Sequence, residues 1–321
     1  IFHMPDLSTH FLLGEQILPK LSKPLQTLIS DNRSVFNYGL QGPDILFFRK
    51  IFSCVFTGFS NLPLTGVRMH QDKVYQTLEF MKSYLAQKQD NQAEFEILSA
   101  YFLGFVGHYY LDKNIHPYVY FLIESIQKHH PERTARSIHG KIESEISAIL
   151  YEYFYKQPVT TFRVNQHFQI SVLAKNIIAR MYTCLLSSIY GIQTEVGEIM
   201  KCFDEMRKAC RLLYDNTGFL EHVRDVLGEI FPKTLDLTNQ IKPKKVMVDT
   251  ANLNQNLWHH IQHPTQTSRK SILGLFLDTQ EELIPVLNEL YTQLTDESPF
   301  DFEICIDFDG NDIAPIESEV C

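Results

Sequence analysis

Two pairs of residues in the first half of the sequence have the spacing of metal ligands on helices. His108 precedes Asp112 by four positions, and His139 precedes Glu143 by the same interval. Residues four apart lie on one face of an α-helix, so each pair can offer an imidazole and a carboxylate to one ion. With 13 His and 38 Asp and Glu residues in the chain, roughly one or two such pairs arise by chance. The neighbouring residues must therefore show whether these pairs are metal ligands or arise by chance.

The residues around His108 favour a buried ligand. The eight residues before it carry no charge, and an ionisable group in such a setting is costly unless it is paired or bound to a metal. Gly104 and Gly107 leave room for another backbone or a ligand to approach. His116 follows Asp112 by four more positions, where we expect this helix to end. The alternative is a core histidine paired with Asp112 and a capping His116.

Three further candidates come from separate segments. Asp44 follows Gly42 and Pro43 in a turn sequence that aims its carboxylate from a rigid loop, although an isolated Asp in a turn is unremarkable. His10 lies near the start of the first predicted helix and His70 just before another; each alone is typical of a surface or capping residue. All candidates offer nitrogen or oxygen, which suits zinc. The candidate metal ligands are His10, Asp44, His70, His108, Asp112, His116, His139 and Glu143.

The elements that position these residues are predicted to be helices. Apolar residues recur at helical spacing in seven long segments, and few segments alternate with period two. The fold class is therefore all-α, a multi-helix bundle. The predicted helices are Leu7–Leu21, Lys73–Lys88, Glu94–Leu111, Arg136–Tyr155, Ile170–Ile189, Val196–Tyr214 and Ser271–Leu294. Two longer stretches, Asn32–Met69 and Phe231–Asn256, are predicted to be irregular.

The C-terminal end departs from the helical pattern. Residues 296–321 hold nine acidic residues and no basic one, and apolar and acidic residues alternate from 301 to 309 except at Cys305. We expect a short amphipathic strand that lays its apolar face over the body while its acids stay solvated. Because every candidate ligand precedes residue 144, we expect this tail to be dispensable for metal binding. The predicted organisation is a tag remnant at 1–3, one helical domain at 4–295 and an acidic tail at 296–321.

Charge, cysteine content and hydropathy indicate which partners and which location the protein can have. Outside the tail the acids equal the 29 Lys and Arg residues, so the body lacks the basic stripe expected for extended nucleic acid. The six cysteines form no Cys-x-x-Cys pair, which indicates reduced thiols. Neither a transmembrane segment nor a secretory signal is predicted, so a cytoplasmic location is expected and peripheral membrane contact stays open.

Six motifs, taken in order, resemble the zinc-dependent phospholipase C family, which is related to the single-strand-specific zinc nucleases. They are Met4-Pro-Asp-Leu-Ser-Thr-His10, Tyr38-Gly-Leu-Gln-Gly-Pro-Asp44, Met69-His70, Gly104-Phe-Val-Gly-His108-Tyr-Tyr-Leu-Asp112, His116-Pro-Tyr118 and His139-Gly-Lys-Ile-Glu143. The likeness extends to Asn254-Gln-Asn-Leu-Trp258 but not to the acidic tail.

The resemblance implies two to three zinc ions as the cofactor. One would be held by His70, His108 and Asp112, and another by His116, His139 and Glu143. A third would use His10 and a bridging Asp112, completed by the amine and carbonyl of the mature N-terminal residue. Asp44 would lie beside the cluster as a metal contact or general base.

The expected activity is hydrolysis of a phosphodiester by metal-activated water, with a phospholipid as the leading substrate class. A nuclease or small-molecule phosphoesterase on the same core is one alternative, and a non-catalytic metal-binding regulatory protein is another. The sequence Trp258-His-His-Ile-Gln-His263 has metalloprotease-like His spacing, but it lacks the Glu that serves as general base in that chemistry.

Overall fold

The computed structural model describes residues 7–51, 60–212, 214, 249–296, 298 and 304–313. These residues are mostly helical, which confirms the predicted all-α class, and the small sheet among them joins only two short strands. The α-helices are α1 (Leu7–Ile17), α2 (Lys23–Asp31), α3 (Arg33–Gly39), α4 (Leu62–Gln71), α5 (Val74–Ala86), α6 (Gln92–His129), α7 (Ala135–Tyr155), α8 (Val172–Tyr190), α9 (Val196–Leu212) and α10 (Ile272–Thr295). Short 3₁₀ helices occupy Leu18–Lys20, Gly42–Phe48, Val159–Thr161 and Val164–His167.

The long helix α6 runs through the centre of the fold. It begins at Asn91, whose side chain accepts a hydrogen bond from the Glu94 backbone N–H and so satisfies one of the free donors of the first turn. The expectation that this helix ends near His116 is wrong, because it continues through Pro117 to His129. Buried apolar residues beyond the proline keep that part packed. Packing of the later turns therefore outweighs the hydrogen bond that the proline removes.

The glycines of α6 allow close helix packing. A Cβ on Gly104 would lie 2.4 Å from the Phe36 carbonyl oxygen, and a Cβ on Gly39 would lie 2.2 Å from the Tyr101 carbonyl oxygen. Only glycine at both positions lets the backbones of α3 and α6 approach this closely. The close approach of another backbone predicted at Gly104 is confirmed, and that backbone is the one of α3.

The described part of the stretch 32–69, which leaves out residues 52–59, is more regular than predicted, since it contains α3, the 3₁₀ helix Gly42–Phe48 and most of α4. The glycines and prolines of this described part separate short helices or lie within them. Buried apolar side chains stabilise these segments; Phe36, Leu40 and Leu46 have no exposed surface. Of the other stretch, 231–256, only residues from 249 onwards are described, and its earlier part lies outside the described residues.

By length and composition alone, the helix α8 could cross a membrane. It is not the apolar stretch before His108 that was noted in the sequence. Half of the most apolar part of α8 is buried inside the protein. Its Tyr182 hydroxyl donates a hydrogen bond to the Gly42 carbonyl at 3.1 Å and shares one of 2.8 Å with the Tyr101 hydroxyl. One face of α8 therefore packs in the protein core.

A small two-stranded sheet lies between α9 and α10 in the chain. Strands β1 (Trp258–His259) and β2 (Thr267–Ser268) pair antiparallel. The Trp258 ring lies 5.2 Å from the ring of Tyr118 on α6. This packing fixes the preceding loop beside the helix that carries three of the candidate ligands.

The described part of the tail, residues 304–313, docks into the body as a turn with one bridge between Ile306 and Asp312. The apolar face is confirmed at Phe308, which has no exposed surface. The expectation that the acids stay solvated is wrong for Asp307 and Asp309, which are 6% and 7% exposed. The Asp307 carboxylate is turned inward because it accepts hydrogen bonds from the backbone N–H groups of Asp309 and Asn311.

Candidate metal centre

Three candidate ligands lie on one face of α6. His108, Asp112 and His116 follow at intervals of four residues, and all three are buried. Asp112 Oδ2 lies 3.0 Å from His108 Nε2, while Asp112 Oδ1 lies 3.8 Å from His116 Nε2. The helix therefore places one carboxylate between two imidazoles.

The 3₁₀ helix Gly42–Phe48 lies directly against His108. Gly42 has a φ of 49°, and a Cβ there would lie 2.3 Å from the His108 ring, so this position requires glycine. Pro43 occupies the first turn and Asp44 follows with 1% exposure. Asp44 Oδ1 lies 3.1 Å from His70 Nε2, and Asp44 Oδ2 lies 3.6 Å from His108 Nε2.

The last turn of α4 supplies His70. Its Nε2 lies 3.4 Å from Nε2 of His108 and 3.8 Å from Oδ2 of Asp112. Two imidazole nitrogens facing each other at this distance gain little from one another when neither carries a proton. A cation between them would bind both.

A second group forms where α7 meets α6. The Thr134 side chain caps α7 by accepting a hydrogen bond from the Ser137 N–H, and the first three turns then present His139 and Glu143. Glu143 Oε1 lies 2.8 Å from His139 Nε2 and 3.5 Å from His116 Nε2. These three residues thus form a compact set of ligand atoms.

His10 on α1 completes the arrangement. Its Nε2 lies 3.3 Å from Oδ1 of Asp112, and its ring stacks on that of His108 with 4.3 Å between the centroids. Asp112 therefore faces His70 and His108 with one oxygen, and His10 and His116 with the other. This is the geometry of a bridging carboxylate.

The spacing of these atoms fits zinc. Ligands bound tetrahedrally at 2.0–2.1 Å are about 3.3–3.4 Å apart, and five of the six separations within the two groups, 2.8 to 3.8 Å, scatter around that value. Asp44 Oδ2 and Glu143 Oε2 are buried and accept no hydrogen bond from any described residue. Since buried carboxylate oxygens are costly without a partner, a bound cation would satisfy them.

Backbone carbonyls fix the tautomer of two of the histidines. His70 Nδ1 lies 2.7 Å from the Gly66 carbonyl oxygen, and His108 Nδ1 lies 3.2 Å from that of Leu40. An Nδ1–H that donates to a carbonyl leaves the lone pair on Nε2, and Nε2 is the atom that faces the cluster in both residues. These partners prepare the imidazoles as metal ligands.

Opposite charges compensate within the centre. Burial lowers the pKa of His70, but the Asp44 and Asp112 carboxylates outweigh burial and raise this pKa to about 9. Burial raises the pKa of Glu143, but His139 and His116 outweigh it and lower this pKa to about 2. Without metal, the centre is therefore held by ion pairs that a divalent cation would replace.

All eight sequence-derived candidates lie in three adjoining groups, of which two share His108. The mature N-terminal residue, expected to complete a third zinc site, falls within residues 1–6, which lie outside the described residues. The His-rich stretch after Trp258 contributes none of the ligand groups found among the described residues; instead, His260 Nε2 contacts the Gly310 carbonyl oxygen at 3.0 Å.

The sequence missed Asp309. Its Oδ1 lies 3.3 Å from His116 Nδ1, so the tail reaches the centre, whereas its expected dispensability for metal binding rests on the candidate ligands before residue 144 alone. A small pocket opens beside the centre and includes this carboxylate. Its lining residues are Asp44, Phe47, Val67, His70, Gln71, Asp112, His116, Tyr120, His139, Glu143 and Asp309.

A model of the zinc-dependent phospholipase C family matches residues 9–192 of the chain, a span that contains all eight candidate ligands. The comparisons with curated proteins and with solved structures gave no significant match.

Proposed function

Because the chain belongs to the zinc-dependent phospholipase C family, we propose that it hydrolyses phosphodiesters at this centre and that phospholipids are its substrate class. The observation that carries the proposal is the position of Asp112 between two sets of zinc-type ligands. A carboxylate that bridges two sets is suited to holding ions close enough to act on one phosphate.

Two ligand groups would hold the ions. The first contains His70, His108 and Asp112, and the second contains His116, His139 and Glu143. His10 and Asp44 lie close enough to His108 to serve a further position. The chemistry that bound zinc supplies is a water with its pKa lowered towards about 7, together with neutralisation of the non-bridging phosphate oxygens.

Asp44 is the residue proposed to act on the attacking water. The turn formed by Gly42 and Pro43 holds its carboxylate at the wall of the pocket. Because Oδ2 accepts no hydrogen bond from the described residues, it is available to orient a water and to take its proton. Phe47 and Val67 line the same pocket and exclude bulk water from one side.

An exposed apolar loop supports lipid as the substrate. Leu253 and Leu257, in the loop before β1, are 77% and 54% exposed. Exposed apolar side chains of this kind can contact the hydrocarbon of a lipid surface.

The test is hydrolysis of a substrate panel by zinc-loaded protein. The panel holds phosphatidylcholine and phosphatidylglycerol vesicles, a soluble phosphodiester and single-stranded DNA. Release of phosphorylated head group from the vesicles is expected, and it should be lost in Glu143→Gln but kept in Glu152→Gln, an exposed residue on the same helix. Cleavage of DNA alone would favour a nuclease, and zinc binding without turnover would favour a regulatory protein; either result would overturn the proposal.

A further inference from the structure

The C-terminal segment, residues 304–313, is seated on the metal centre. The Phe308 ring lies 5.0 Å from the ring of His70 and 5.6 Å from that of His108. The Phe308 N–H donates to the His70 carbonyl at 3.0 Å, and the Tyr109 hydroxyl donates to the Ile306 carbonyl at 2.9 Å. The segment therefore covers the end of α4 and the middle of α6, which both carry candidate ligands.

Both partners of His116 Nδ1 among the described residues come from this segment. The Phe308 carbonyl oxygen lies at 3.0 Å and Asp309 Oδ1 at 3.3 Å. On the opposite side of the ring, His116 Nε2 faces Glu143 and Asp112. The corresponding partners of His70 and His108 come from Gly66 and Leu40 in the body, so His116 alone among these three depends on the C-terminal segment.

The Asp309 carboxylate is held in place from three sides. Its Oδ1 accepts a 2.7 Å hydrogen bond from the Tyr120 hydroxyl, and its Oδ2 accepts one of 3.1 Å from Gln71 Nε2. Its own N–H donates to the Asp307 carboxylate at 2.9 Å. A carboxylate restrained in this way is preorganised towards the imidazole.

Gly310 shows that the backbone is shaped for this position. Its φ is 79°, and a Cβ there would lie 2.7 Å from Pro117 Cγ and 3.1 Å from the Lys113 carbonyl oxygen. In a regular helix residue 117 would donate its N–H to the Lys113 carbonyl, but proline has no N–H to donate. The segment thus fits against the proline of α6 through a glycine that no other residue replaces without strain.

We propose that Asp309 is a positioning residue for His116, and that residues 304–313 complete the metal centre by holding the His116 ring with Nε2 towards the ion. A carboxylate that accepts the Nδ1–H of a metal-bound histidine fixes its tautomer and orientation and increases its basicity as a ligand. The inference rests on the zinc centre of the proposed function but not on the identity of the phosphodiester.

The test compares full-length wild-type protein with Asp309→Asn and Asp312→Asn. Asp312 is the matched control, because it lies in the same segment but is 73% exposed and pairs with His263. Zinc affinity is measured by competition with a fluorescent chelator, and zinc-free thermal midpoints are recorded. Asp309→Asn should weaken one zinc equivalent by about 10- to 100-fold in addition to any change in the zinc-free midpoint, and Asp312→Asn should match wild type.

A second variant, Gly310→Ala, displaces the Phe308 carbonyl as well, and should weaken zinc binding at least as much as Asp309→Asn. Wild-type affinity in Asp309→Asn, or a lower zinc-free midpoint with unchanged affinity, would overturn the inference alone and leave the proposed function standing. A wild-type protein that binds no zinc would overturn both.

Discussion

Oδ2 of Asp112 lies 3.0 Å from Nε2 of His108, one helical turn earlier on α6. The other oxygen, Oδ1, faces away from that pair and lies 3.3 Å from Nε2 of His10. Asp44 is placed differently, since its two oxygens face His70 and His108 on one side of the centre. The two buried carboxylates are therefore expected to respond differently to substitution.

Asp112→Asn should lose at least one zinc equivalent, because the amide removes the charge and one of the two oxygens that face separate ligand groups. Asp44→Asn should lose less zinc than Asp112→Asn, and its activity should fall by about 10²- to 10⁴-fold, the usual contribution of a general base. Elemental analysis of protein purified without chelator, combined with initial rates, measures both effects. Loss of zinc from Asp44→Asn with retention in Asp112→Asn would reverse the assigned roles.

The stabilisation by zinc should increase with pH. In the zinc-free protein the pKa of His70 is raised from 6.5 to about 9 by Asp44 and Asp112 against the effect of burial. The stability from that ion pair is therefore complete below pH 6.5 and is lost as the pH rises to about 9. Zinc binds only the neutral imidazole, so its binding improves over the same range.

Thermal midpoints with zinc and with chelator should therefore diverge from pH 6.5 to 9. The zinc-free midpoint falls over this range, and the difference between the two conditions grows. His70→Asn serves as the control, because it removes the titrating group and should flatten the zinc-free curve. A difference that stays constant across this range would contradict the prediction.

The local parts of the centre could be predicted from the sequence. His108 with Asp112, and His139 with Glu143, follow the helical period, and that period alone determines that each pair shares a helix face. Contacts between segments could not be predicted in this way. The place of His10 beside Asp112 depends on how α1 packs against α6, and only the family resemblance brought these residues together.

The tail shows where local patterns fail. Alternating residues indicate an amphipathic strand, but the pattern does not say which surface the strand covers. Phe308 finds its place against His70 and His108, and Asp309 is buried because Tyr120 and Gln71 donate to it. A buried carboxylate with partners distant in sequence looks the same as a solvated one until the fold is known.

Apolar contact with lipid should depend on the loop before β1. Leu253→Ser and Leu257→Ser should lower hydrolysis of phosphatidylcholine vesicles but leave the rate on a soluble short-chain phospholipid unchanged, because neither residue lines the metal centre pocket. Leu173→Ser is the matched control, since Leu173 is 64% exposed but lies on α8. Vesicle sedimentation and initial rates test this, and equal losses on both substrates would argue against an interfacial role.

Gly104 and Gly197 form a pair of helical glycines for which alanine should have opposite effects. Alanine is favoured over glycine within a helix by about 1 kcal/mol, and a Cβ on Gly197 in α9 meets no described atom within 4 Å. Gly197→Ala should therefore raise the free energy of unfolding by up to about 1 kcal/mol. On Gly104 the same Cβ would lie 2.4 Å from the Phe36 carbonyl oxygen and 2.8 Å from the Leu40 backbone N, so α3 must move.

Overpacking of this kind usually costs about 1–3 kcal/mol, and here it should also reach the metal centre. The Leu40 carbonyl, at the end of α3, accepts the hydrogen bond from Nδ1 of His108 at 3.2 Å. If α3 shifts, His108 loses the partner that orients its Nε2, so Gly104→Ala should bind zinc more weakly as well as unfold at lower urea. Urea unfolding in the presence of chelator measures the packing cost alone. The same titration with zinc measures the packing cost together with the loss of zinc binding. A Gly104→Ala protein as stable as Gly197→Ala would show that α3 and α6 are not packed as closely as their backbones indicate.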